Sequence, residues 1–201
     1  MTRGRTRRKR TATTAARRVF LLSPADCAGR RARRLLAGES GSELAGELRD
    51  VGTIALGDAF ALMSSLYFRG KRAYAESFAS PPADVPGVWV ITPTRGLLPI
   101  DARVDAATLA EFAAARVNPA DPRYRGALQR SAADLAGALA RDGLAVPLGS
   151  VATQKYVEPL AEVLGERLRF PAEFVGRGSL SRGALLLRCV QERRELEYVT
   201  R

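Results

Sequence analysis

Three short apolar runs, each stopped by turn-forming residues, confine this chain to a narrow set of folds. They are Arg18-Val19-Phe20-Leu21-Leu22, ended by Ser23-Pro24; Gly87-Val88-Trp89-Val90-Ile91, ended by Thr92-Pro93; and Gly143-Leu144-Ala145-Val146-Pro147-Leu148, ended by Gly149-Ser150. Their continuous apolar character suits strands covered on both faces. Pro147 has no N–H to give to a ladder and marks the third run as an edge strand. Between the runs the apolar residues recur at helical spacing. Helices are expected through Arg30–Leu36 and Glu43–Leu48, and Leu56, Phe60, Met63, Tyr67, Tyr74 and Phe78 continue the period, with Gly70 as a break. Asp105 caps a helix carrying Leu109 and Phe112, and Leu128, Ala132, Leu135 and Leu139 mark the next. A further helix runs to Leu164, while Leu168–Phe170, Leu185–Cys189 and Glu195–Val199 read as short strands. The alternation predicts an α/β fold, three-layered, with a mostly parallel sheet flanked by helices.

Charge divides the 201 residues in two. Arg3, Arg5, Arg7, Arg8, Lys9, Arg10, Arg17 and Arg18 precede the first acid, Asp26, and carry most of the net charge of +11. Residues 1–17 are therefore read as a basic disordered arm and 18–201 as a single α/β domain. Such an arm attracts polyanions through long-range, salt-sensitive electrostatics. It lacks the apolar core of a secretory signal, and no run is long enough to span a bilayer, so no membrane partner and a cytoplasmic location are expected. Arginine outnumbers lysine 29 to 3, a bias of composition.

Histidine is absent, which removes Ser–His and Cys–His nucleophile pairs and imidazole metal ligands. Cys27 and Cys189 have no CxxC partner and read as reduced, buried thiols. Neither a metal site nor a cofactor is expected.

The densest polar signal is Phe174-Val175-Gly176-Arg177-Gly178-Ser179-Leu180-Ser181-Arg182-Gly183. Glycines expose backbone N–H groups, the Ser179 and Ser181 hydroxyls add donors, and the Arg177 and Arg182 guanidinium forks match phosphate oxygens. This segment is read as an anion-binding loop. If the three strands run parallel, Ser23, Thr94, Arg95, Ser150 and Thr153 emerge at one sheet edge, where open α/β domains bind ligands. Asp26 and Asp101 are the nearest carboxylates and the candidate general bases. The same residue types also follow strands simply as turn and capping residues. Arg69, Lys71 and Arg72 beside Tyr67, Phe68 and Tyr74 suit phosphate contact and base stacking, although core packing of the aromatics under solvated charges is the favoured reading. Lys155 and Tyr156 share that ambiguity.

Four segments, in order along residues 19 to 190, resemble the bacterial peroxide-stress proteins called YaaA-like. Ile91-Thr92-Pro93-Thr94-Arg95-Gly96-Leu97-Leu98-Pro99-Ile100-Asp101 is similar to that family's "ILSGLYGLLRPLD", and Leu21-Leu22-Ser23-Pro24-Ala25 to its "LISPAK". Leu148–Tyr156 resembles its "LAS-EY" segment, and Ser181–Arg188 its "ARGLMAR". Asp26 stands in place of the family lysine, Thr92-Pro93-Thr94-Arg95 replaces "SGLY", and the Pro-Tyr-Arg after the aspartate is missing. Ser65–Glu76 is also similar to the "LY-S-LF-R-KR-AYAE" pattern of a broader group of uncharacterised bacterial α/β proteins. The first resemblance implies a cytoplasmic protein with a positive cleft, DNA binding and a stress-response role in limiting oxidative damage. Neither resemblance supplies a catalytic residue.

The expectation is thus a nucleic-acid-binding α/β protein with an anion-binding crevice, DNA being the partner. The alternative is an enzyme acting on a nucleotide, a nucleobase or another phosphorylated small molecule.

Overall fold

The computed structural model describes residues 17–39, 41–64, 66–149 and 154–200. The arm expected over 1–17 lies, apart from Arg17, outside the described residues, as do Ser150 and Thr153. In chain order the elements are β1 (Arg18–Leu22), α1 (Arg30–Leu36), α2 (Glu43–Asp50), β2 (Ile54–Ala55), α3 (Leu56–Met63), α4 (Leu66–Phe78), β3 (Val88–Thr92) and β4 (Gly96–Pro99). There follow β5 (Arg103–Val104), α5 (Ala106–Ala114), α6 (Pro122–Ala138), β6 (Leu144–Leu148), α7 (Gln154–Leu164), β7 (Phe170–Pro171), α8 (Ser179–Gln191) and β8 (Tyr198–Val199).

The main sheet has the order β4-β3-β1-β6. β1 lies parallel to β3, with Phe20 opposite Val88, and parallel to β6, with Arg18 opposite Leu144. β4 returns antiparallel to β3 through a tight turn that pairs Thr92 with Gly96. Alternation along β1 divides the core between the two faces. Phe20 and Leu22 pack with Val88, Val90, Val146 and Leu148 beneath α1 to α5 and α8, whereas Val19 and Leu21 face α6 and α7. Layers of helix, sheet and helix result. β6 is indeed the strand at the sheet's end, and the N–H that Pro147 lacks points away from β1, on the side where Ala145 accepts from Arg169 N at 3.0 Å.

Local chemistry accounts for the helix starts. Asp105 accepts from Thr108 N at 2.7 Å to cap α5, and Asp121 caps α6 at Arg123 N (2.9 Å) with Pro122 in the first turn. Two expectations need correction. Leu185–Cys189 is helical: Arg182, Leu185, Leu186 and Cys189 are buried together, a stripe of period 3.6 that a strand could not present to one face. Gly70 does not break a helix, because α4 runs through it and the chain divides before Leu66 instead.

Gly70 is where α4 and α8 cross. A Cβ there would stand 2.8 Å from the Gly183 carbonyl oxygen, and one on Gly183 would stand 3.1 Å from Tyr67 Cα. Backbone meets backbone, so neither helix can yield by moving a side chain. Gly70→Ala should lower stability by about 1–3 kcal/mol despite alanine's better helix propensity. Gly46→Ala in α2, where no atom lies within 4 Å of the added methyl, should be neutral or stabilising by up to about 1 kcal/mol. Thermal unfolding of both variants checks the contrast.

Candidate functional site

The chain leaves β1 to rejoin the sheet at β3 on one side, and leaves β6 to pass Leu168, which bridges Ala145, on the other. The carboxyl ends of β1 and β6 therefore flank the point where the winding reverses, the usual ligand crevice of such sheets. Ser23, the first residue past β1, stands there and is only 7% exposed. Gly149, just past β6, packs against it so closely that a Cβ would lie 3.1 Å from Ser23 Cβ and 3.0 Å from Tyr156 Cε2.

Lys71 reaches the same point from α4. Its inward face carries Phe68, Gly70, Lys71, Tyr74 and Ala75, so the lysine enters the core and is 2% exposed. Its ammonium donates to Ser23 O at 2.6 Å and to Ser23 Oγ at 2.7 Å. The Tyr67 and Phe68 rings lie 4.8 and 4.9 Å away. Lys71 forms no ion pair among the described residues, and burial pulls its pKa down from 10.5 to about 7.

Where α4 and α8 cross, Arg182 is brought beside Tyr67. It is 6% exposed, lies 5.5 Å over the Phe174 ring and donates weakly to Phe174 O at 3.4 Å. Burial raises the Tyr67 pKa and the neighbouring guanidinium opposes the rise, although no well-formed hydrogen bond reaches the buried Tyr67 hydroxyl. Ser23, Lys71, Tyr67, Arg182 and Tyr156 thus gather from one strand end and three helices.

The other expected residues are placed as follows. Asp26 is exposed at the rim, where its Oδ1 accepts from Ala28 N at 3.0 Å and shapes the turn into α1. It faces an open hollow of about 860 Å³, lined also by Pro93, Arg116, Asn118 and Lys155. Thr94 lines an adjoining hollow. Thr94 and Arg95 both bind Glu111, Arg95 at 2.6 Å, and the Arg95 guanidinium and then the Thr94 hydroxyl hold that carboxyl below its usual range. Arg177 is exposed and donates to Glu173 O at 2.9 Å and Ser181 Oγ at 3.3 Å, so Arg177 and Ser181 knit the entry to α8. Ser179 is exposed at the helix's first position. Asp101 follows β4, whose antiparallel course carries it to the opposite end of the sheet from Ser23.

Cys27 also borders the hollow, but burial first and Asp26 second push its thiol up to about 12, which leaves it unreactive. Among the described residues no group of His, Cys, Asp and Glu side chains suits a metal ion, and no helix is long and apolar enough to cross a membrane. In comparisons with known proteins, no family, no curated relative and no solved structure matches the chain.

Sequence reasoning grouped Lys71 with Arg69 and Arg72 as solvated charges and missed that it is buried against Ser23. The signal was available: it lies four residues after Tyr67 and three before Tyr74, on the aromatic face, whereas Arg69 is exposed and Arg72 pairs outward with Glu76 at 2.8 Å.

The Lys71 burial has a measurable consequence. Between about pH 7 and 10.5 the unfolded lysine holds a proton that the folded one has lost, so stability should rise with pH across this window. The slope approaches about 1.4 kcal/mol per pH unit at most. Denaturant unfolding from pH 6.5 to 10 should show the rise, and Lys71→Met should flatten it.

Proposed function

We propose that this protein binds phosphate-bearing ligands at the carboxyl rim of its sheet, nucleic acid foremost and DNA as the preferred polymer. The observation that supports this most is the placing of two buried basic side chains, Lys71 and Arg182, around the reversal point, neither of them bonded to an acidic side chain among the described residues; a bound phosphate would keep Lys71 protonated. In a low-dielectric setting such charges attract an anion far more strongly than solvated ones do. The basic residues of the arm add sequence-independent, salt-sensitive affinity for a polymer. A cytoplasmic role in protecting DNA from oxidative damage is what the YaaA-like resemblance adds to this reading.

A second reading, an enzyme acting on a nucleotide or nucleobase, is favoured by the hollow of about 860 Å³ beside Asp26, Arg116 and Lys155. Its size suits a small molecule of that class.

Fluorescence anisotropy of labelled DNA and RNA oligonucleotides against salt tests the primary reading. Affinity of the full chain should fall linearly on logarithmic axes. Removing residues 1–16, which carry six basic side chains, should reduce the slope by up to about five. In that shortened chain Arg177→Ala with Arg182→Gln should weaken binding further, and the slope should shrink by about one for each of the two arginines that grips a phosphate. A flat salt response, or no binding at all, would remove the proposal.

A further inference from the structure

The geometry points to Ser23 as a nucleophile and Lys71 as its general base, acting on a phosphate ester held at the rim. The choice of a phosphate ester rests on the anion-binding reading above; the nucleophile itself does not. Lys71 Nζ lies 2.7 Å from Ser23 Oγ, within the reach that proton transfer requires; Lys71 is 2% exposed, and Ser23 keeps 7% exposure at the rim. Serine–lysine pairs activate a hydroxyl without histidine, and this chain has no histidine.

The choice of lysine is itself informative. The chain uses arginine in 29 of its 32 basic positions, yet the cation at Ser23 is one of three lysines. A guanidinium can tie down a carbonyl as well as an ammonium can, but it cannot give up its proton near neutral pH. Were Lys71 only a plug, an apolar side chain of similar volume would fill the site without desolvating a charge. Burial instead leaves a substantial share of the amine neutral at pH 7, with a lone pair for the Ser23 proton. The titratable and charged groups around this pair are Tyr67 on α4, Arg182 on α8, Tyr156 on α7, and Asp26 and Cys27 in the loop after β1. No hydrogen bond or ion pair joins Lys71 to a carboxylate among the described residues, so no negative charge holds the proton on the amine.

The remaining parts suit the chemistry. Gly149 packs bare backbone against Ser23, where the Cβ of any other residue would stand 3.3 Å from Oγ and crowd it. The buried Tyr67 hydroxyl lacks a partner of good geometry and stands beside the Arg182 guanidinium, a donor pair for a developing oxyanion. In the first step the Ser23 proton passes to Lys71 Nζ and the Oγ–P bond forms. The P–O bond to the alcohol breaks, and the leaving oxygen takes the proton from the Lys71 ammonium. Water then attacks phosphorus with Lys71 again as base. The Oγ–P bond breaks, and the proton returns to Ser23.

The full chain is treated with diisopropyl fluorophosphate, a phosphorylating reagent, and the adduct is located by intact and peptide mass spectrometry. A single adduct on Ser23 is expected, forming about tenfold faster at pH 8 than at pH 6, as a base titrating near 7 requires. Lys71→Met should lose at least about 100-fold in rate and the pH dependence with it. Because that variant can fail through misfolding, the wild-type result decides: folded protein with no adduct on Ser23, or with adducts on tyrosine alone, overturns the inference. Release of p-nitrophenolate from bis(p-nitrophenyl) phosphate, absent in Ser23→Ala, is expected, and no release by wild type overturns the phosphate ester as substrate. Oligonucleotide binding without Ser23 labelling sinks the nucleophile alone. Labelling without oligonucleotide binding sinks the nucleic-acid reading and leaves the nucleophile standing.

Discussion

The contact between Lys71 and Ser23 is the constraint around which the rest of this molecule is arranged. A lysine drawn fully into a protein core costs several kcal/mol unless its donors are used. Here they meet both oxygens of one residue, at the end of the central strand. The carbonyl at a strand's end has left the ladder and needs a donor of its own. A single side chain therefore satisfies the end of β1 and fixes α4 over it. The other end of β1 is held by the same helix, since Arg18 Nε donates to Phe78 O at 3.0 Å. β1 is thus clamped to α4 at both its termini, and the position of Ser23 depends on this.

That clamp explains why the α4–α8 crossing must be so close. With Gly70 and Gly183 touching, Arg182 is carried to within reach of Tyr67, one turn from Lys71. The far end of α8 is secured by a separate polar network. Arg194 pairs with Glu173 at 2.9 Å, while Tyr74 Oη accepts from Leu196 N at 2.8 Å and shares a hydrogen bond with Tyr198 Oη at 2.7 Å. Glu195 closes the network by pairing with Arg18 at the head of β1. Helix, strand and C-terminal segment become one rigid unit, the kind of support a positioned side chain needs.

The strands were legible because three apolar runs met unmistakable stops, and the caps because Asp105 and Asp121 precede helical patterns with nothing competing for them. Leu185–Cys189 was misread for a general reason: five apolar-rich residues look alike in a buried strand and a buried helix until the flanking positions are counted. β4 went unseen because Leu97 and Leu98 follow a turn by one glycine and give too short a run. The rim was legible as a place, while the partners were not. Ser23 was visible from its strand, but Lys71 lies 48 residues away and was grouped with Arg69 and Arg72, from which only its angular place on the helix separates it. Whether a guanidinium is free or matched is likewise set by folding, as Arg95 and Glu111 illustrate.

That distinction bears on where the positive character of the body resides. Outside the arm, 25 basic residues face 21 acidic ones, too close a balance to mark any surface. Many arginines are matched locally: Arg72 by Asp58 and Glu76, Arg103 by Glu47, Arg125 by Glu158 and Glu162. Pairs this exposed are worth about 0–1 kcal/mol each and cancel one another's fields at a distance. Lys71 and Arg182 are different in kind, because each is buried and hydrogen-bonded to neutral oxygen. A carboxylate beside either would have lowered the cost of burial and removed the field. The fold instead bears that cost beside the ends of β1 and β6, where the winding of the sheet reverses. On the anion-binding reading proposed above, the arrangement trades stability for positive potential at the rim whenever Lys71 is protonated.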